Sequence, residues 1–164
     1  VRAEMDYSPG IINIDRAERI MTISTDKDVH FTGAIGLNQI EYEDISGLPT
    51  NKITIRGVNI QAKQAMLYTL WFWKSATHAS SDLNEDSYRD FVNLDVATSG
   101  KRIAGSGQWY LQSSNLCILY EDDDPPTAEG YYTLHLGLMV SSGSGKSSGS
   151  DGSVQLDITY SPRL

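Results

Sequence analysis

Residues 65–75 read Ala65-Met66-Leu67-Tyr68-Thr69-Leu70-Trp71-Phe72-Trp73-Lys74-Ser75, and the folding of this stretch decides the class of the whole chain. Side chains of an extended strand alternate between two faces. Met66, Tyr68, Leu70 and Phe72 therefore share one face, and Leu67, Thr69, Trp71 and Trp73 the other. A helix is the competing reading, but a short run rich in aromatics favours a strand. Both faces are apolar, so the strand needs cover on both sides. It is either a central core strand or a strand whose second face meets a partner.

Working outward, the cleanest alternation lies near the C-terminal end. Tyr132, Leu134, Leu136, Leu138 and Val140 alternate with Thr133, His135 and Gly137, and Val154, Leu156, Ile158 and Tyr160 alternate with Gln155, Asp157 and Thr159. Shorter extended runs are expected at Ile11–Ile14, Arg19–Ser24, Val29–Ile40, Asn51–Ala62, Phe91–Ala97, Gln108–Gln112 and Asn115–Glu121. Gly57 reads as a register break, since glycine inside a strand marks a bulge or close backbone approach. Asp82 with Glu85 resembles a capping box and predicts about two turns of helix. Eight to ten strands at short spacing, separated by turn residues and without βαβ alternation, predict a sandwich or barrel. The chain reads as one domain over residues 1–164, with 1–10 a candidate arm. Ser141–Gly152, almost all glycine and serine, is expected to be a flexible loop.

The chain has 164 residues and a net charge of −8, with scattered basic residues. That balance argues against nucleic acid as a partner, because phosphate contacts need clustered lysine and arginine. No apolar run approaches the roughly 20 residues of a membrane-spanning helix, and no basic-then-apolar signal peptide opens the chain. The one cysteine, Cys117, lies between Leu116 and Ile118 and is expected to be a buried thiol.

The candidate chemical motifs are weak. Ser144-Gly145-Lys146-Ser147 resembles the end of a phosphate-binding loop, but valine stands at position 140 where that motif needs glycine. Gly145-Lys146-Ser147-Ser148-Gly149 matches the spacing of a nucleophile elbow, yet no helix follows to present the serine. Asp82–Asp86 opens like a calcium loop, but Ser87 and Asn93 occupy the positions that require glycine and glutamate. The acidic run Glu121-Asp122-Asp123-Asp124 reads as a solvated loop, with a cation or basic partner as the alternative. His30, His78 and His135 fall on separate segments, so neither a metal set nor a catalytic dyad is expected. The reading is a non-enzyme without a cofactor or metal. Its interface candidates are Trp71, Trp73, Phe72, Tyr68 and Trp109, residue types enriched where proteins meet.

Size, strand rhythm and the segments Ala65–Ser75, Tyr131–Val140 and Val154–Tyr160 together resemble the single jelly-roll, small major capsid proteins of tailless, membrane-containing icosahedral viruses. These are viruses of the Thermus phage and haloarchaeal type. The resemblance implies an all-β jelly-roll of eight to ten antiparallel strands with one short helix. It implies a virion subunit that pairs with itself, as a dimer, with a second, larger capsid protein and with the membrane beneath the shell. A carbohydrate- or receptor-binding β-sandwich is the alternative. A cupin-type enzyme is a further one, but no two histidines lie one residue apart as that motif requires.

Overall fold

In a computed structural model that describes residues 19–77 and 88–163, the aromatic stretch is a strand with neighbours on both sides. The described residues form ten strands and a short helix. The strands are β1 (Met21–Ser24), β2 (Ile40–Leu48), β3 (Lys52–Ala62), β4 (Leu67–Trp73), β5 (Tyr88–Asp95), β6 (Lys101–Ile103), β7 (Gln108–Ser113), β8 (Ile118–Glu121), β9 (Tyr132–Ser142) and β10 (Val154–Pro162). The helix, α1 (Val96–Ser99), is a single turn capped by Asp95, whose side chain accepts from the Thr98 amide. The expected N-terminal arm, the strand at Ile11–Ile14, the capping box at Asp82 and His78 lie outside the described residues.

Two antiparallel sheets pack face to face. Sheet A runs β2-β9-β4-β5, and sheet B runs β1-β10-β3-β7-β6, with β8 pairing the rest of β3. Strands pair from the ends of the described chain inward: β1 with β10, β2 with β9, β3 with β8, and the consecutive β4 with β5. The chain is therefore one long antiparallel ribbon, rolled so that successive pairs alternate between the sheets. This is the jelly-roll arrangement, in which two sheets enclose one core.

The core follows the alternation. Tyr68, Leu70 and Phe72 from β4, Leu134, Leu136 and Leu138 from β9, Val58 and Ile60 from β3, and Leu156 and Ile158 from β10 all lose essentially their whole surface. Phe72 meets Tyr120 of the opposite sheet edge-to-face, ring centres 6.5 Å apart. Gly57 is a register break as expected: Thr159 pairs with Gly57 but the next residue, Tyr160, pairs with Ile55. The irregularity lets β3 present Ile53 and Ile55 before the break, and Val58 and Ile60 after it, to the same core.

Two segments differ from their sequence reading. Val29–Ile40 is not a strand, because Phe31 (φ 53°) and Asn38 (φ 62°) hold left-handed backbone conformations that interrupt extension; β2 begins only at Ile40. Cys117 is exposed, not buried. It precedes Ile118, where pairing with β3 starts, and Asn115 (φ 60°) turns the chain ahead of it.

Ser141–Gly152 is tethered despite its composition. The Ile35 and Lys146 backbones exchange hydrogen bonds of 2.9 and 2.7 Å, and the Gly149 amide donates to Thr32 O at 2.9 Å. Gly152 passes so close to Ser147 that a Cβ there would lie 1.9 Å from its carbonyl oxygen. Lys146 is buried and donates to Gly33 O at 2.6 Å, while the amide of that same Gly33 donates to Glu41 at 3.1 Å. Burial pulls the Lys146 ammonium down from its ordinary value, with Glu41 opposing. The lysine of the phosphate-loop look-alike thus clamps a neighbouring loop. Lys146→Ala leaves Gly33 O unpaired and is expected to cost about 2 kcal/mol. Urea denaturation checks this: a lower midpoint at unchanged slope supports the clamp, and an unchanged midpoint refutes it.

Candidate functional site

The second face of β4 is the outer face of sheet A, and it carries the most distinctive chemistry of the molecule. Trp71 and Trp73 project there, and cross-strand pairing sets Trp71 against Phe91 and Trp73 against Tyr88. The rings form a continuous strip. Tyr42 meets Trp73 at 5.4 Å, Trp73 meets Tyr88 at 6.2 Å, Tyr88 meets Trp71 at 4.9 Å and Trp71 meets Phe91 at 4.8 Å. The Tyr88 and Tyr42 contacts are edge-on, the geometry aromatic quadrupoles favour.

Gly137 makes the strip possible. It lies on β9 between Trp71 of β4 and Tyr42 of β2. A Cβ at this position would sit 2.6 Å from Trp73 Nε1 and 2.9 Å from an Ile40 methyl. The missing side chain is the space that the Trp73 indole occupies as it crosses β9 towards Tyr42.

Of the interface candidates, Tyr68 and Phe72 point into the core and have no exposed surface. Trp109 packs partly buried against that core from β7. Trp73 is on the outer face but fully covered, so Trp71 and, beyond it, Phe91 at 42% exposure carry the accessible end of the strip. Trp71 Nε1 is buried without a hydrogen-bond partner, which costs about 1–3 kcal/mol.

Beside the strip stands a charged cluster that sequence reasoning missed. His135 pairs with Trp73 on one side and Asp44 on the other. Its alternation is outward, as expected, yet it is 2% exposed. The acidic run covers it. β4 ends at Trp73, and residues 122–124 take its place along β9: Asp123 N donates to Lys74 O at 2.8 Å, and Thr133 N donates to Asp122 Oδ2 at 2.8 Å. Asp122 is 2% exposed while Asp123 stays at the surface, so the run is a strap anchored by one buried carboxylate and not a wholly solvated loop. Arg89 of β5 holds the strap from outside, donating to Glu121 O at 3.1 Å and pairing with Asp123. The Asp124 carboxylate accepts from the Ala76 amide at 2.8 Å.

His135 Nδ1 lies 2.6 Å from Asp44 Oδ1, and Nε2 lies 2.9 Å from Asp122 Oδ1 and 3.4 Å from Asp124 Oδ2. Tyr120 completes the cluster. Its hydroxyl donates to Thr133 O at 2.9 Å and accepts from the His135 amide at 3.0 Å, and burial pushes its pKa up, keeping it neutral. The Asp122, Asp124 and His135 ligand atoms converge within 4.8 Å, a spacing that suits a divalent cation. Direct hydrogen bonds already join them, however. His30 takes no part; its Nδ1 accepts from the Asp26 amide at 2.9 Å.

Compared with known proteins, the chain matches no family model, no curated protein and no solved structure. The site must be read from its own geometry.

Other surfaces are plainer. The depression lined by Ile20, Arg56, Asn115, Leu116 and Cys117, about 470 Å³, is open and lacks converging polar groups. On the outer face of sheet B, Gln155, Gln61, Tyr110 and Lys101 stand side by side, next to Asp157, Asn59 and Gln112. The two outer faces are thus opposite in character, aromatic on sheet A and amide-rich on sheet B. Gly137→Ala tests the packing of the strip. It is expected to cost about 1–3 kcal/mol through overpacking and to alter the near-ultraviolet circular dichroism of the tryptophans; an unchanged spectrum and midpoint would refute the crossing of the indole over β9.

Proposed function

We propose that this chain is a structural virion protein, a jelly-roll capsid subunit whose function is assembly with copies of itself and with a second capsid protein. The observation that carries the reading is the strand order among the described residues, β1 against β10 and successive pairs alternating between sheets. Capsid proteins are a major user of that arrangement, along with lectins and cupins. The inference from fold to role is one of analogy.

Two features of the site support assembly over catalysis. The space between the sheets is filled by Leu, Ile, Val, Phe and Tyr side chains, and the buried histidine sits on the outer side of sheet A. A cupin-type enzyme would need its histidines inside. The aromatic strip ends in exposed Phe91, at the kind of aromatic anchor that interfaces use. No described helix is long and apolar enough to cross a membrane.

A second reading, a carbohydrate- or receptor-binding module, draws on the outer face of sheet B. There Tyr110 stands in a row with Gln61 and Gln155, an aromatic ring amid amide donors and acceptors.

Light scattering over rising concentration separates these readings. A subunit is expected to associate alone or with a co-expressed larger jelly-roll partner, and Phe91→Asp is expected to weaken that association at least tenfold while leaving the fold intact. A compact monomer at high concentration, indifferent to the partner, would sink the virion proposal. Glycan-array binding lost on Tyr110→Ala would favour the second reading instead.

A further inference from the structure

Carboxylates only accept hydrogen bonds. Both ring nitrogens of His135 face one, Nδ1 at 2.6 Å from Asp44 and Nε2 at 2.9 Å from Asp122. With the facing carboxyls ionised, both nitrogens donate and the ring is an imidazolium. We propose that His135 is a proton-operated clasp: with both nitrogens protonated it locks the 122–124 strap and the edge strand β2 onto β9, and loss of one proton releases the strap. This inference stands on the cluster alone and holds whatever the chain assembles into.

The elements packed around the ring explain why one proton matters. β2 contributes Asp44, and the strap contributes Asp122 and Asp124. β8 contributes the neutral Tyr120, and β4 contributes Trp73, which carries no charge. Arg89 of β5 is committed to Asp123 and to Glu121 O. Three carboxylates thus face one cation. Without its Nε2 proton the ring would set a lone pair against Asp122 Oδ1, whose side chain has no exposed surface. Such a buried acceptor pair is unfavourable, and the strap can relieve it by moving into water.

The direction in pH follows. Burial alone would lower the His135 pKa, but its hydrogen bonds to Asp44 and Asp122, and their charges, more than reverse this, so the ring titrates above its ordinary 6.5. A group whose folded pKa is raised stabilises fully below its unfolded value, and loses that contribution as pH rises through the folded one. The clasp is closed in mild acid and opens on the alkaline side of 6.5.

Hydrogen exchange on the intact chain, in chelator and corrected for intrinsic base catalysis, reads the clasp directly. As His135 titrates by NMR, protection of the Ala76, Asp123 and Thr133 amides is expected to fall at least tenfold. Core amides of Leu136 and Leu138 should hold. Asp44→Asn, at an exposed edge position, should shift the opening to lower pH, and His135→Gln should abolish the pH dependence if it folds. The proposal is overturned if His135 titrates below 6.5, if strap protection stays constant through the titration, or if added zinc alone restores protection at high pH, which would make a cation and not a proton the lock.

Discussion

Strand β9 fixes nearly everything of interest in this molecule, because it lies between β2 and β4 and serves two surfaces at once. Its even-numbered residues Leu134, Leu136 and Leu138 fill the sandwich. Its odd-numbered ones set out the site: His135 falls between Asp44 and Trp73, and Gly137 between Tyr42 and Trp71. A one-residue slip would send the leucines outward and the histidine into the core. Burial of three leucines therefore holds the register, and the register in turn brings the imidazole to its carboxylates and opens the space for the indole. The site is a by-product of core packing.

The fold was legible in the sequence wherever one face was apolar and the other polar. Tyr131–Val140 and Val154–Tyr160 alternate cleanly, and both are strands with the expected residues inside. The double-sided stretch at Ala65–Ser75 was legible too, as a strand needing cover on both faces, and β4 is central in sheet A. What failed to show was anything decided by a single backbone angle. Phe31 and Asn38 break an apolar-looking run; asparagine is a residue type that tolerates the left-handed region, but nothing about Phe31 announces it. Cys117 looked buried because its neighbours Leu116 and Ile118 are apolar, but the chain is turning there and alternation no longer applies.

The charged cluster was illegible for a different reason. His135 is separated by 91 residues from Asp44 and by 13 from Asp122. Only the pairing of second strand with second-to-last brings the first of these together, and no local pattern reports it. The acidic run offered a signal, since four consecutive acids are costly to bury. Charge alone, however, favours solvent. The deciding observation is that β4 is shorter than β9, which leaves the Thr133 amide without a sheet partner and available to Asp122. A backbone vacancy recruits the strap, and the strap then buries the histidine.

Charge also governs where this molecule can be touched. The outer strands of sheet A carry Glu41, Glu43 and Asp44 on β2, and Arg89, Asp90 and Asp95 on β5. In sheet B the outer strands are only four and three residues long. Charged or very short edges discourage strand addition by a neighbouring chain. Association through backbone pairing is therefore disfavoured along these described edges, while the outer face of sheet A offers ring surface at Trp71 and Phe91. Side-chain contact on a face, and not extension of a sheet, is the mode of association these edges leave open. The same conclusion ties the aromatic strip to the clasp beside it, since Tyr88 and Arg89 are consecutive on β5: one joins the strip and the other holds the strap. Any partner seated on the rings would lie within one residue of the segment that His135 controls.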